Sequence, residues 1–545
     1  MKWLAILSFV GLALAQNYYT DYLLCRLYQE REPNRAREHC LRALERAPTP
    51  TLYMDVVRLE MQLKQTERAQ KVATEFKTRH PNLPEPYLLL YQLYSMQNQK
   101  DKALKVLEEG YARNPASKEL SLAVVEEYLR AKDLAKARDL LLSLAQKSPD
   151  NPLPYFMLAR IALLEGKQQE AIEFLQKSLR ANPTFPASMI MLGELYEQGG
   201  EYAKAEALYR DALRHDPDNR TALERLGNLY TLTRRHQEAK EIYRTLAELY
   251  PDANSLYQYG LSLIRAGDTE KAKELLAKLY AENPANPNIA YTYAMLLEAL
   301  KELDRALEIY TDLQSRLGNH PQLLERLASV HLQKGDHKRA EEVLRLGLST
   351  EPNSFQLNLL MGHLLSEQER HQEALDYADR AVQINPKDYR GYFLRAIIQD
   401  KVGRVIFAES DLRKALELNP EDPELLNHLG YSLLLWYEKA KLDEAEVLIR
   451  KALDKDPENP AYIDSMAWVL YYRGRYQEAY QMLQRALEKE KDDPVLYEHM
   501  GDVLTKLSRE KEAQDYYQRA YQLLLSGKKG EPNQRQRLEG KIKSK

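Results

Sequence analysis

The sequence predicts an all-α protein made of about fifteen helix–turn–helix units, and two regularities support this prediction. An alanine, usually preceded by Glu, Lys or Arg, recurs along the chain, and eleven of the fourteen intervals between these alanines are 34 residues long. A proline follows most of them twelve residues later. A fixed period of this size is typical of repeat proteins, in which each unit packs only on its neighbours. One array can therefore reach 545 residues without several separate globular cores. The alanines are Ala36, Ala69, Ala103, Ala137, Ala171, Ala205, Ala239, Ala272, Ala306, Ala340, Ala374, Ala408, Ala445, Ala479 and Ala513.

The prolines mark boundaries between units. Proline has no N–H and is tolerated in the first turn of a helix but not in its interior. Pairs such as Asn182-Pro183 and Asp456-Pro457 therefore separate one unit from the next. A second break inside each unit, for example at Gly200 or Gly474, divides the unit into two helices.

A second small residue stands twelve positions before most of the alanines, as Gly193 does before Ala205. Two small residues that face each other allow antiparallel helices to approach closely. In the first four units this position holds a larger residue, for example Val57 or Tyr91. We therefore predict degenerate units over residues 16–150 and regular units over residues 151–525.

The stretch 187–217 resembles the tetratricopeptide repeat (TPR) in its small residue at Gly193, Tyr196, the alanines Ala205 and Ala212, and a closing proline. The resemblance extends from about Tyr18 to Leu525. It implies a right-handed superhelical solenoid of about fifteen TPR helix–turn–helix units, with a long concave groove.

The N-terminus has the pattern of a secretory signal peptide. A basic start at Lys2 is followed by the apolar run Trp3–Leu14, and small residues stand at Ala13 and Ala15. The run is too short to cross a bilayer, which needs roughly 20 apolar residues. We predict a signal peptide over residues 1–15, cleaved before Gln16. Because no lipobox cysteine follows the cleavage site, the mature chain is expected to be periplasmic or secreted without a lipid anchor or an integral membrane span.

The C-terminus has a basic composition. From Ser526 onward seven Lys or Arg residues stand against Glu531 and Glu539. We predict a basic, disordered tail over residues 526–545. It would act either as a frayed, solubilising end or by attraction to an anionic surface.

The composition excludes several function classes. The formal net charge is −3, so no global basic field favours nucleic acid. The chain has none of the common phosphate-binding, metalloprotease or serine-hydrolase motifs. We therefore expect no enzyme, no cofactor and no metal. The only two cysteines, Cys25 and Cys40, lie on the two helices of the first unit, either as a disulfide or as two buried thiols.

The last units carry the strongest candidate for a partner site. In the unit before Ala479, the positions Ile463 and Met466 belong to the stripe that must face the core. A second stripe, not needed for the core, is rich in aromatic residues, which supply much of the binding energy at interfaces. Trp468 could equally pack between units. The candidate groove residues here are Tyr431, Asp464, Trp468, Tyr471 and Tyr472.

Two weaker groove clusters are predicted upstream. One pairs Phe156 with Arg160, and the other contains Tyr257, Arg265 and Tyr291.

The stretch 459–479 resembles the C-terminal region of envelope TPR proteins of Gram-negative bacteria, some of which are adaptors of periplasmic C-terminal processing proteases. Together these features predict a non-enzymatic, extracytoplasmic scaffold or adaptor. It would bind envelope proteins or peptides in its groove, during cell-envelope protein assembly or turnover. The alternative is a TPR component of a polysaccharide export assembly, whose groove aromatics would stack on sugar rings.

Overall fold

The computed structural model describes residues 18–531 and 533–543, which contain helices and turns but no β-strand. The predicted signal peptide lies outside these residues. The chain divides into two compact units, whose boundary in sequence lies between Ala266 and Gly267.

The helices of the first compact unit are 11 to 14 residues long. They are α1 (18–28), α2 (Pro33–Arg46), α3 (Pro50–Gln62), α4 (Thr66–Arg79), α5 (Glu85–Met96), α6 (Lys100–Arg113), α7 (Lys118–Arg130), α8 (Leu134–Lys147), α9 (Pro152–Leu164), α10 (Gln168–Ala181), α11 (Pro186–Gln198), α12 (Tyr202–His215), α13 (Arg220–Leu232), α14 (His236–Leu249) and α15 (Ala253–Ala266).

The second compact unit continues the same alternation and ends in one additional helix. Its helices are α16 (Thr269–Glu282), α17 (Pro287–Ala299), α18 (Leu303–Leu317), α19 (Pro321–Gln333), α20 (His337–Thr350), α21 (Phe355–Glu367), α22 (His371–Ile384), α23 (Tyr389–Lys401), α24 (Val405–Leu418), α25 (Pro423–Tyr437), a 3₁₀ helix (Glu438–Lys441), α26 (Leu442–Lys455), α27 (Pro460–Tyr472), α28 (Tyr476–Lys489), α29 (Pro494–Lys506), α30 (Glu510–Leu525) and α31 (Gln534–Lys543).

Helices α1 to α30 follow one another as fifteen successive pairs, which confirms the predicted number of repeats. We call the odd-numbered helices up to α29 the A helices and the even-numbered helices up to α30 the B helices. The fifteen recurring alanines all lie on B helices and are at most 2% exposed. Each is small because the partner A helix passes close to it.

Polar caps and prolines define where most A helices begin. Asn151 precedes α9, and its side chain accepts a hydrogen bond from the backbone N–H of Leu153 at 3.1 Å. Asp422 caps α25 in the same way. In both helices proline occupies the first position, where its missing N–H costs nothing. These local signals explain why the unit boundaries could be predicted from sequence.

From the second repeat onward, the turn between the two helices of a repeat contains a residue in the left-handed conformation. In the sixth repeat this is Gly200, with φ of 76°. In the ninth repeat Lys301 takes the same place, with φ of 62°. A side chain at such a position is tolerated only because the two packed helices determine the turn.

The small residue of the A helix allows the close crossing that the sequence predicts. A Cβ added to Gly193 on α11 would lie only 2.5 Å from Cε1 of Tyr209, which is fully buried on α12. The hydroxyl of Tyr209 donates a hydrogen bond to Glu197 at 2.9 Å. The tyrosine ring therefore fills the space that the glycine leaves, and its hydroxyl fixes its position.

We expect Gly193→Ala to destabilise the sixth repeat by about 1–3 kcal/mol, because the buried ring of Tyr209 must move. Gly199→Ala is the matched control, since its new Cβ meets only backbone oxygens at 3.5 Å or more. Hydrogen exchange of the amides in α11 and α12 measures both changes. Equal protection in the two variants would contradict the close crossing.

The first repeat contains a disulfide. Cys25 on α1 and Cys40 on α2 are bonded, with Cα atoms 4.9 Å apart, and both are fully buried. The antiparallel pairing of the two helices brings them within bonding distance. Of the two states that the sequence leaves open, the structure contains the disulfide.

The thirteenth repeat is lengthened, because 37 residues separate Ala408 from Ala445, and it packs back on its predecessor. Trp436 donates a hydrogen bond from its indole N–H to Asp400 at 2.7 Å, and Tyr437 donates to Glu409 at 2.8 Å. The additional residues extend α25 and form the 3₁₀ helix. The insertion therefore contacts the twelfth repeat through named side chains.

The C-terminus differs from the predicted disordered tail, because residues 534–543 form α31 against the last repeat. Leu538 is fully buried and packs with the core of the last two repeats. Arg537 and Lys541 pair with Glu498, which is only 2% exposed. Two of the basic residues that suggested disorder are therefore held by a carboxylate of α29, and composition alone does not reveal this pairing.

Within the described part of the chain, no helix combines the length and the apolar character needed to cross a membrane.

Candidate partner-binding surface

The predicted residues of the C-terminal groove lie together in the second compact unit. Trp468 stacks on Tyr471, with ring centroids 4.6 Å apart and planes 7° apart. Tyr472 meets the indole edge-on at 5.9 Å. All three lie on α27, and Tyr431 lies on α25, two helices earlier.

The predicted groove stripe on α27 is more deeply buried than the sequence predicts. Nine consecutive residues of α27, from Tyr462 to Leu470, are buried, and they include Asp464 as well as the predicted core positions Ile463 and Met466. Trp468 is only 9% exposed, whereas Tyr471 and Tyr472 remain half-buried. A helix that is apolar nearly all round is buried on more than one face. The half-buried tyrosines are therefore the part of the stripe that an external partner can reach directly.

The covering group is His499 on α29, a residue outside the predicted groove set. Its ring stacks on Trp468, with centroids 4.0 Å apart. Its Nδ1 lies 2.8 Å from one carboxylate oxygen of Asp464 and 3.1 Å from the other. We call Tyr431, Trp468, Tyr471, Tyr472 and His499 the aromatic cluster.

The pair of His499 and Asp464 is a buried ion pair. Burial alone would lower the pKa of His499, but the charge and hydrogen bond of Asp464, with the charges of Glu531 and Asp502, outweigh it and raise the pKa to about 9. The imidazole is therefore protonated at neutral pH. A positively charged ring stacked on an indole is also favoured by the quadrupole of the indole.

His499 does not share the register of the predicted groove residues. Counted from the first residue of each A helix, Tyr431 stands ninth in α25 and Trp468 ninth in α27, whereas His499 stands sixth in α29. Reading the groove position through successive repeats therefore does not find it. The aromatic pattern of one stripe contains no signal for a histidine of the next A helix that covers it.

A cavity of about 510 Å³ lies beside the cluster. Its wall combines several carboxylates with two lysines of the C-terminal segment. The lining residues used below are Tyr431, Asp464, Asp492, Lys528, Lys529 and Glu531. The excess of carboxylates favours a ligand with a basic group.

The two upstream clusters are less developed. Phe156 on α9 packs edge-on against Phe185 at 5.7 Å, and Arg160 is exposed one turn further along the same helix. Tyr257 and Arg265 lie on α15 in the first compact unit, whereas Tyr291 lies on α17 in the second. These residues stay predicted partner contacts.

Among residues 18–531 and 533–543, no group of three or more His, Cys, Asp or Glu side chains is arranged to hold a metal ion.

Family models match several parts of the chain. Residues 61–259 match the model described as tetratricopeptide repeat protein 21 C-terminal ARM domain. Two models described as tetratricopeptide repeat match residues 263–328 and residues 325–389 and 465–524. These are repeat families, which are generally non-catalytic scaffolds for protein–protein interaction.

Two curated relatives match over part of their length. TPR repeat-containing protein PA4667 of Pseudomonas aeruginosa is 28% identical over 151 residues, which are 28% of this chain and 25% of that protein. Uncharacterized protein y4yS of Sinorhizobium fredii is 33% identical over 93 residues, or 17% of this chain and 51% of that protein. The matched regions thus span a quarter and about half of these relatives.

Among solved structures, a chain of the APC/C hetero-tetramer Cut9-Hcn1 aligns with 90% of this chain and 96% of its own length, at 14% identity and a TM-score of 0.43.

The fifteen helical pairs, the buried alanine of each B helix and the matching family models lead to the same assignment. The chain is a tetratricopeptide-repeat protein with an all-α, solenoid fold.

Proposed function

We propose that this protein is a non-enzymatic, extracytoplasmic adaptor that binds envelope proteins or peptides at the A-helix surface of its C-terminal repeats. The observation that carries the proposal is the aromatic cluster beside a carboxylate-lined cavity. Tyr431 connects the cluster to the cavity, which favours basic groups, and half-buried Tyr471 and Tyr472 offer aromatic edges at the C-terminal end of α27. Aromatic residues held rigidly by their neighbours lose little entropy when a partner binds.

Two features support an extracytoplasmic location. The apolar run Trp3–Leu14 followed by Ala15 has the form of a cleaved signal. The disulfide between Cys25 and Cys40 is of a kind that persists in oxidising compartments. We expect the mass of the exported chain to correspond to a protein that begins at Gln16. Retention of Met1 in the exported chain would contradict the assigned compartment.

Photo-cross-linking tests the proposed surface in the native host. We expect Tyr472→p-benzoylphenylalanine to yield discrete adducts with envelope proteins, because an aromatic group already stands there. The same photo-reactive residue in place of Gln484, an exposed position on B helix α28, is the matched control. Adducts that are absent at position 472, or the same at both positions, would contradict this surface as the binding site.

The carbohydrate alternative has less support from the geometry. Sugar rings bind to free aromatic faces, and the indole of Trp468 already stacks on both Tyr471 and His499. Adducts formed with polysaccharide and not with protein would favour the alternative.

A further inference from the structure

The chain crosses the candidate surface with its own C-terminal segment. After α30 ends at Leu525, residues 526–531, which we call the strap, return over A helices far away in sequence. Lys529 pairs with Glu367 on α21 at 2.7 Å, across 162 residues of sequence. Tyr431 on α25 donates a hydrogen bond to Glu531 at 2.5 Å, across 100 residues. The strap therefore contacts A helices from the eleventh and thirteenth repeats.

The strap also forms part of the wall of the cavity beside the aromatic cluster. Lys528, Lys529 and Glu531 line it together with Asp464 on α27. Lys528 pairs with Asp492 at 3.0 Å. The acidic cavity is thus lined in part by two basic side chains of the same molecule. Basic groups are what its negative charge favours in a ligand.

Two positions on the repeats bind charged groups of the strap. Glu367 binds the ammonium group of Lys529. The hydroxyl of Tyr431 and the guanidinium of Arg537, which lies 2.7 Å from Glu531, receive a carboxylate. The segment recognised is therefore a basic side chain followed two residues later by an acidic one.

The two lysines of the strap are held much less firmly than the helix that follows it. In the ion pair with Glu367, the Lys529 side chain is 85% exposed, and the Lys528 side chain is 48% exposed. Exposed pairs of this kind are worth about 0–1 kcal/mol each and weaken with salt. Glu531 is the firmer anchor, because its side chain is only 21% exposed between Tyr431 and Arg537.

Release of the strap therefore requires a partner group that replaces the Glu531 carboxylate on Tyr431. Leu538 of α31 is fully buried, so α31 can continue to cap the last repeat when the strap leaves.

We propose that the strap is an intramolecular ligand that occupies the partner site until a protein segment with the same chemistry displaces it. The partner segment is extended, with a basic side chain two positions before an acidic one. This proposal rests on the proposed function, because it identifies the partner class and the regulation of the same surface.

A binding measurement on the full chain tests the proposal. The probe is a fluorescein-labelled peptide with the sequence of residues 526–536. We expect K529A/E531Q, which removes the strap's anchors to α21 and α25, to bind the probe about tenfold more tightly than the unsubstituted chain if the strap occupies its site in about nine of ten molecules. Gln536→Ala, at an exposed position on α31, is the control and should behave like the unsubstituted chain.

Two further variants define the site. Adding Tyr431→Phe and Glu367→Gln to the opened chain should abolish the gain, and a probe that carries K529A/E531Q should bind neither protein. Circular dichroism verifies that the variants keep their helices. Equal affinity in the opened and unsubstituted chains, or no probe binding to either, would overturn the proposal.

The test separates this proposal from the proposed function. Adducts at position 472 with no probe binding would contradict the proposal about the strap and support the partner surface. Probe binding without envelope adducts would support the proposal about the strap and contradict the envelope role.

Discussion

Replacing Trp468 with alanine is expected to lower the free energy of local unfolding of the last two repeats by about 3–5 kcal/mol. The side chain is 9% exposed and stacks on both Tyr471 and His499, so its removal leaves a cavity between α27 and α29. Native-state hydrogen exchange of α27 and α29 measures this loss locally, which suits an array whose repeats do not unfold together.

Trp468→Phe and Tyr472→Ala are the comparisons for this variant. Phenylalanine keeps an aromatic ring against His499. Among the described residues, no acceptor bonds the indole N–H of Trp468, so no hydrogen bond is lost. We therefore expect Trp468→Phe to lower the free energy of local unfolding by only about 1–2 kcal/mol. Tyr472 is half-buried, and its truncation should weaken partner binding more than stability. If Trp468→Ala left exchange unchanged and abolished partner binding, the indole would be a contact surface and not a packing element.

Asp464→Asn is expected to destabilise the same repeats by about 1–3 kcal/mol at pH 7, because it removes a charged hydrogen bond from a buried site. The carboxylate lies 2.8 Å from Nδ1 of His499 and holds the imidazole in its charged form, whereas beside the amide the buried ring becomes neutral. Asp443→Asn is the matched control, since the Asp443 side chain is 90% exposed in its pair with Arg473. A loss of the same size in both variants would contradict the role of burial.

The ion pair also predicts how stability depends on pH. In the folded protein the pKa of His499 is raised to about 9, above the ordinary value of 6.5. A group whose pKa is raised by folding stabilises the protein fully below its unfolded pKa and loses this contribution as pH rises through its folded pKa. Protection of α29 should therefore fall between about pH 6.5 and 9 in the unsubstituted chain. The fall should disappear in Asp464→Asn, and its persistence there would assign it to another group.

The fold was predictable because its determinants are local. The alanine of each B helix, the small residue twelve positions earlier and the prolines at the unit boundaries all act within one repeat or between neighbours. Gly193 and Tyr209, for example, lie sixteen residues apart, and the residue types alone indicate a close crossing.

The candidate site was only partly predictable. Aromatic residues on α27 are visible in the sequence, and they do lie together with Tyr431. The burial of Trp468 depends on His499, 31 residues further along the chain, and Tyr431 is contacted by Glu531 of the strap, 100 residues further. Helical periodicity indicates which stripe one helix needs for the core, but it contains no information about what covers the remaining stripe.

The repeat period alone predicts an array of about fifteen helical pairs, because a repeat whose contacts are short-range shows its packing in its own period. Only the folded chain shows that residues 534–543 form a helix and that the strap contacts α21 and α25. Lys529 pairs with Glu367, Arg537 and Lys541 pair with a carboxylate of α29, and a leucine of α31 is fully buried. Pairing of charges at long sequence separation leaves no periodic signal, so it cannot be read from the period.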